Sequence, residues 1–223
     1  MIDQHATLPA QPQPPPHTKP PTPPARCGLA RCAYRQAGCW IGAAMLLSFA
    51  AGMYSNFGLQ RELFAAPGFM LQAAGQPVVV GVIVMLGIIA GLLTLSVATV
   101  LHRLYGQSRP RLTLFLVALV GASLAVNVLE GATLLAMRSL SEAFVAAGAG
   151  AESTFQPARQ VLRGLRNGIH FPAKLLGGFG VLLMFVLLLR QRGLPPALAG
   201  FGLFAAGLQM LRSQFCARLP KPP

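Results

Sequence analysis

The chain of 223 residues carries five acidic side chains, and Glu130 is the one that falls inside a long apolar run. A lone charge at bilayer depth costs about 2.5 to 3.5 kcal/mol on insertion scales unless it is paired or hydrated. Partners are close in the pattern. Asn127 precedes Glu130 by three residues, and His170 precedes Lys174 by one helical turn, so each pair shares a helix face. Glu130 lies about 27 Å along a helix that starts at Leu112, and Lys174 about 22 Å from the far end of its own run at Leu189. The similar depth predicts an ion pair between Glu130 and Lys174. Three chemistries suit the cluster of Glu130, Lys174, His170 and Asn127. The plainest is a structural ion pair with Lys174 snorkelling toward headgroups. The second is an outward-facing polar pocket for a small ligand or ion, and the third is a proton relay through Glu130 and His170. Arg163, Arg166 and Asn167 extend the stripe if the helix begins ahead of Pro172. The alternative is that Pro172 starts the helix, because proline pushes Phe171 out of the helical region.

Catalytic groups are not assembled in the same way. No HExxH pair occurs, Gly121-Ala122-Ser123 has no base in a later apolar run, and no second carboxylate lies in one. The expectation is a non-enzymatic protein with no catalytic residues, no metal site and no cofactor. Cys27, Cys32, Cys39 and Cys216 lack the CxxC pairs and partner histidines of structural zinc. The first three stand beside an apolar run, where thiols can carry a lipid or report redox state, although small thiols without a role are the commoner case.

The elements that must position the cluster follow from composition. Apolar residues make up 54% of the chain and charged residues 10%, while the formal net charge is +13. The basic residues bracket the apolar runs rather than interrupting them, as flanks beside anionic headgroups do, so nucleic acid is not an expected partner. The lipid bilayer is. A membrane-protein partner or a second copy of the chain is the further association considered. The fold class expected is an all-α integral membrane protein, a polytopic bundle of about five transmembrane helices with a disordered Pro-rich amino-terminal tail.

Apolar runs place the spans at about 40–59, 78–101, 112–137, 171–189 and 194–211, since about 20 residues of helix cross the hydrocarbon core. The last is the shortest, and a re-entrant or interfacial segment is its alternative. Residues 1–38 read as a separate tail: nine of the first 25 are proline, which favours extended, uncollapsed chain, and Arg26, Arg31 and Arg35 follow. Two bare PxxP spacings, at Pro12–Pro15 and Pro21–Pro24, are of the kind any Pro-dense tail contains. Residues 138–166 read as two short amphipathic pieces around a flexible break at Gly148-Ala149-Gly150-Ala151, and 212–223 as a short basic tail. Arginines near the early span ends predict a cytoplasmic amino terminus, which with five crossings leaves the carboxyl terminus outside. Helix packing is expected at Gly87-x3-Gly91 and Gly202-x3-Ala206, whose small residues let backbones approach. Gly177, Gly178 and Gly180 suit either a bend or a crowded crossing.

Three further stretches carry a resemblance: Tyr54 and Leu59 with Arg61-Glu62 behind them, Arg166-Asn167-Gly168-Ile169-His170, and Gly193-Leu194-Pro195 ahead of a glycine-rich last run. Over about Cys39 to Leu211 the chain resembles small bacterial multi-spanning proteins classed only as a domain of unknown function. The resemblance implies a bacterial inner-membrane protein of about five or six helices and brings no activity with it. Two function classes are therefore expected. One is a bundle that assembles with, anchors or regulates partners, and the other is a small transporter or channel-like protein. A cavity reaching Glu130 would favour the second, and a dry, saturated pair the first.

Overall fold

A computed structural model describes residues 26–65, 68–148, 150–191 and 195–218, with backbone alone for 26–33, 196 and 209–218. The Pro-rich segment 1–25 and the end of the basic tail lie outside the described residues. Every regular element among those described is helical: α1 (Arg26–Met53), a π-helical turn (Tyr54–Leu59), α2 (Gln60–Phe64), α3 (Phe69–Gly75), α4 (Pro77–Tyr105), α5 (Pro110–Ala147), α6 (Glu152–Arg190) and α7 (Pro196–Arg218). Four helical stretches are long and apolar enough to cross a membrane: Tyr34–Phe64, Pro77–Tyr105, Pro110–Ala147 and Glu152–Arg190. The fifth apolar stretch, Ala197–Leu208, is shorter. Large apolar side chains such as Leu46, Phe49, Leu114, Phe115, Phe201 and Phe204 point outward, a surface that suits lipid and not water.

Several helices outrun their apolar cores. Helix α1 starts at Arg26, not near residue 39, because the last proline of the tail is Pro24 and the residues that follow include good helix formers such as Leu29, Ala30 and Arg31. The amphipathic pieces expected in 138–166 are not separate. The first continues α5 to Ala147, and the second is the opening of α6, with Glu152 in its first turn. What joins them is a tight turn carrying Gly148 at φ 76° and Gly150 at φ 105°, a region that favours glycine. Pro172 does not start a helix but sits inside one. It removes one hydrogen bond, the one to the carbonyl of Gly168, a loss that membrane helices tolerate because neighbours re-satisfy the freed group.

Two apolar layers close the bundle at its two ends. One joins Ala44 of α1, Val97, Ala98 and Leu101 of α4, Leu116 and Val120 of α5, and Met184 and Leu187 of α6. The other joins Leu63, Phe69, Ala73, Val80, Ile83, Leu134 and Met137. Short α3 is tied to α5 through Ser141, whose hydroxyl donates to the Met70 carbonyl at 2.7 Å and accepts from the Ala74 N–H at 3.0 Å. At the other end, His102 Nδ1 and Thr113 Oγ1 lie 2.9 Å apart across the α4–α5 turn.

Glycines set the crossings unevenly. A Cβ on Gly202 would overlap the Phe185 ring, and Ala206 is buried on the same face, so α7 lies against α6 through the expected small-residue pair. Gly91 packs on α5, where a Cβ would come within 2.6 Å of Leu124 Cδ1. Gly87 corrects the expectation: nothing lies within 4 Å of its Cβ position, so it is not a packing contact. Gly180 makes a close crossing with α5, where a Cβ would come within 3.3 Å of Val120, whereas a Cβ on Gly177 would only touch Ser123 Oγ at 3.6 Å.

Candidate functional site

Between the two apolar layers, small and polar residues occupy the inward stripes of α1, α4, α5 and α6. On α4 the stripe runs Val80, Ile83, Gly87, Gly91, Thr94, Val97, Leu101, and on α5 it runs Leu116, Val120, Ser123, Asn127, Glu130, Leu134, Met137. Steps of three and four keep each stripe on one face. In the middle the side chains become too short to meet, and a cavity of about 320 Å³ opens there. Its small lining residues include Gly52, Gly87, Ala90, Gly131, Gly177 and Gly178. Its polar ones are Ser48, Ser55, Asn56, Gln60, Thr94, Ser123, Asn127, Glu130, Arg166 and Lys174.

Glu130 sits near the middle of α5, because that helix continues ten residues beyond the expected end at 137. Its Oε1 lies 2.7 Å from His170 Nδ1 on α6. The charged partner within reach is therefore His170, when protonated, and not Lys174. Lys174 lines the same cavity and forms no ion pair with a described acid, although its charge and that of Arg166 both act on Glu130. Helical register explains the exchange: His170 stands opposite Glu130, while Lys174 lies one turn further along α6. Ser123, Asn127 and Lys174 make no hydrogen bond to another described residue, so their polar atoms are turned to the cavity. Others are already engaged: Ser48 donates to the Ala90 carbonyl at 3.3 Å, Thr94 to the same carbonyl at 2.8 Å, and Asn56 to the Gly52 carbonyl at 2.8 Å.

Arg166 belongs to the site because α6 begins well before Pro172, the condition on which its membership of the stripe depended. It donates to Gln60 Oε1 at 2.9 Å and lies with its guanidinium 4.5 Å from the centroid of the Phe64 ring. The contribution of α1 and the π-helical turn is the part that sequence reasoning missed. Ser48, Ser55 and Asn56 stand in the first apolar run as polar interruptions, and that was their signal. The π-helical turn at Tyr54–Leu59 adds to it, since such turns often mark functional positions within a helix.

Cys39 is a free, exposed thiol, and the other cysteine side chains lie outside those described. The chain belongs to the family described as a domain of unknown function, DUF4386, which matches residues 40–221. No curated protein and no solved structure matches it.

Proposed function

We propose that this membrane protein is non-enzymatic and holds a small polar solute inside its bundle, in the manner of a transporter or channel-like protein. The observation that carries the reading is the cavity of about 320 Å³ reaching Glu130 between four helices. Polar groups converging on a concavity within an otherwise apolar bundle are costly to keep and serve to recognise something. Glu130 is held by His170, which suits charge compensation more than acid–base chemistry, and Ser123, Asn127 and Lys174 supply the contacts for a solute. The alternative, a bundle that anchors or assembles partners, asks for a saturated Glu130 pair without a cavity beside it. On this reading the surroundings are a bacterial inner membrane with the amino terminus cytoplasmic, as the arginines in the first turns of α1 and around the α4–α5 turn favour. Nucleic acid is no part of it.

A ligand-dependent thermal-shift screen on detergent-purified protein tests this. A solute that raises the unfolding temperature of the parent chain but not of Asn127→Leu or Gly87→Leu, which fill the cavity, would support it. A hydrophilic thiol reagent that cannot reach Gly87→Cys in proteoliposomes, with the native cysteines changed to serine, would sink it.

A further inference from the structure

We propose that a second pocket, walled by α6 on one side and α2–α3 on the other, binds a phosphate-type oxyanion. Arg159, Arg163 and Arg166 stand at i, i+4 and i+7, so one face of α6 presents all three. With Asn167 they line a cavity of about 300 Å³ whose opposite wall includes Phe64 and Gly68.

Glu130 acts on Arg166 from the neighbouring cavity but does not line this pocket. No acidic residue lines it, and none of the three arginines forms an ion pair with a described acid. Like charges at i, i+4 repel, and a shared hollow brings a third into the same field. Elsewhere the same chain does pair a half-buried arginine: Arg138 reaches Glu142 at 2.6 Å one turn away. The second observation is Arg166 itself. Gln60 and the Phe64 ring fix its guanidinium, yet its Nε is buried without a hydrogen-bond partner. A buried donor left unpaired costs free energy that an acceptor would recover.

The arginine forks select the ligand. Guanidinium presents parallel N–H donors that match the oxygens of phosphate or carboxylate. A carboxylate brings two oxygens and one charge to three guanidinium groups, whereas a phosphate brings more oxygens and up to two charges, so phosphate answers more of the donors. The group can arrive on a soluble phosphate or on a phospholipid headgroup. This site shares Arg166 with the Glu130 cavity but does not depend on the reading proposed for it.

The test is thermal unfolding of the full chain in neutral detergent. One arm adds inorganic phosphate against chloride at equal ionic strength, and the other adds phosphatidylglycerol against phosphatidylcholine. A rise with phosphate identifies a soluble ligand, and a rise with phosphatidylglycerol alone identifies a headgroup. Either supports the site if the apparent affinity falls by about tenfold or more in the double variant Arg159→Gln/Arg163→Gln, the loss expected for at least one charged hydrogen bond. Both arginines are exposed, so this variant should fold as the parent does. The rise should persist in Glu130→Gln, which separates this site from the other cavity. No rise in either arm, or a rise unchanged in the double variant, overturns the proposal.

Discussion

The apolar end layers and the polar middle of this bundle share helices α4 and α5, with the same spacing, yet they do opposite things with it. At the ends, Leu63, Leu101, Leu116 and Leu187 are fully enclosed, and side chains from facing helices fill the space between them. In the middle, the corresponding positions on α4 and α6 are Gly87 and Gly177, and the space stays open. Within lipid, tail contacts are as apolar as leucine contacts, so helix association draws on close packing and interhelical hydrogen bonds. The end layers supply the first. The middle gives packing away and keeps a hydrogen bond between Glu130 and His170. Close packing and an open polar interior are thus divided along the helix axis.

The largest effect should come from the end layers. Leu116→Ala, or Leu187→Ala, removes a fully buried side chain and should cost about 2 to 5 kcal/mol, read as a lower unfolding temperature in detergent. If either cost no more than a substitution lining the cavity, the contrast between layers would fail. Smaller is the penalty at Gly91, which marks the border of the two regions. Gly91→Ala sets a methyl group within 2.6 Å of Leu124 Cδ1. The end of the flexible Leu124 side chain must shift, and the gain of about 1 kcal/mol from replacing glycine in a helix offsets part of that, so the net cost should be no more than about 2 kcal/mol. An unchanged unfolding temperature would mean that Leu124 moves aside without loss of packing.

Coupling across the middle layer comes next. In a double-mutant cycle, Glu130→Gln and His170→Gln should be non-additive by about 0.6 to 1.7 kcal/mol, the range of interhelical hydrogen bonds in membrane bundles. Glu130→Gln with Lys174→Met should couple less, because that pair interacts across the cavity without an ion-pair contact. The reverse order would restore Lys174 as the partner of Glu130.

That exchange shows what the chain alone makes legible. Membrane class and four of the spans follow directly from apolar runs, since lipid exposure demands long uncharged stretches. So does the membership of the cluster, because Glu130, Lys174, Asn127 and His170 stand out against those runs. Their pairing does not follow. Depth was counted from where hydropathy ends, but α5 continues through Arg138 to Ala147 and α6 begins at Glu152, so the register between them is set by the turn at Gly148–Ala151. Helix packing at glycine is similarly hidden: Gly87 and Gly91 match one motif, yet only Gly91 meets a neighbouring helix. Ser48 on α1 and Ser55 and Asn56 in the π-helical turn read as blemishes in a span until three other helices are placed around them.

The smallest expected effect isolates the open layer. Gly87→Ala adds a methyl group where nothing lies within 4 Å, so no packing clash opposes it. Replacing glycine within a helix also lowers the conformational freedom lost on folding, by about 0.5 to 1 kcal/mol at most. Stability should therefore stay within about 0.5 kcal/mol of the parent or rise slightly, in contrast to Gly91→Ala one turn away. The added methyl group takes its volume from the cavity alone. Any solute that stabilises the parent chain should then stabilise Gly87→Ala less, although the unliganded unfolding temperature hardly moves. A clear drop in unliganded stability would show that a neighbour closes on Gly87, and the middle of the bundle would be packed like its ends.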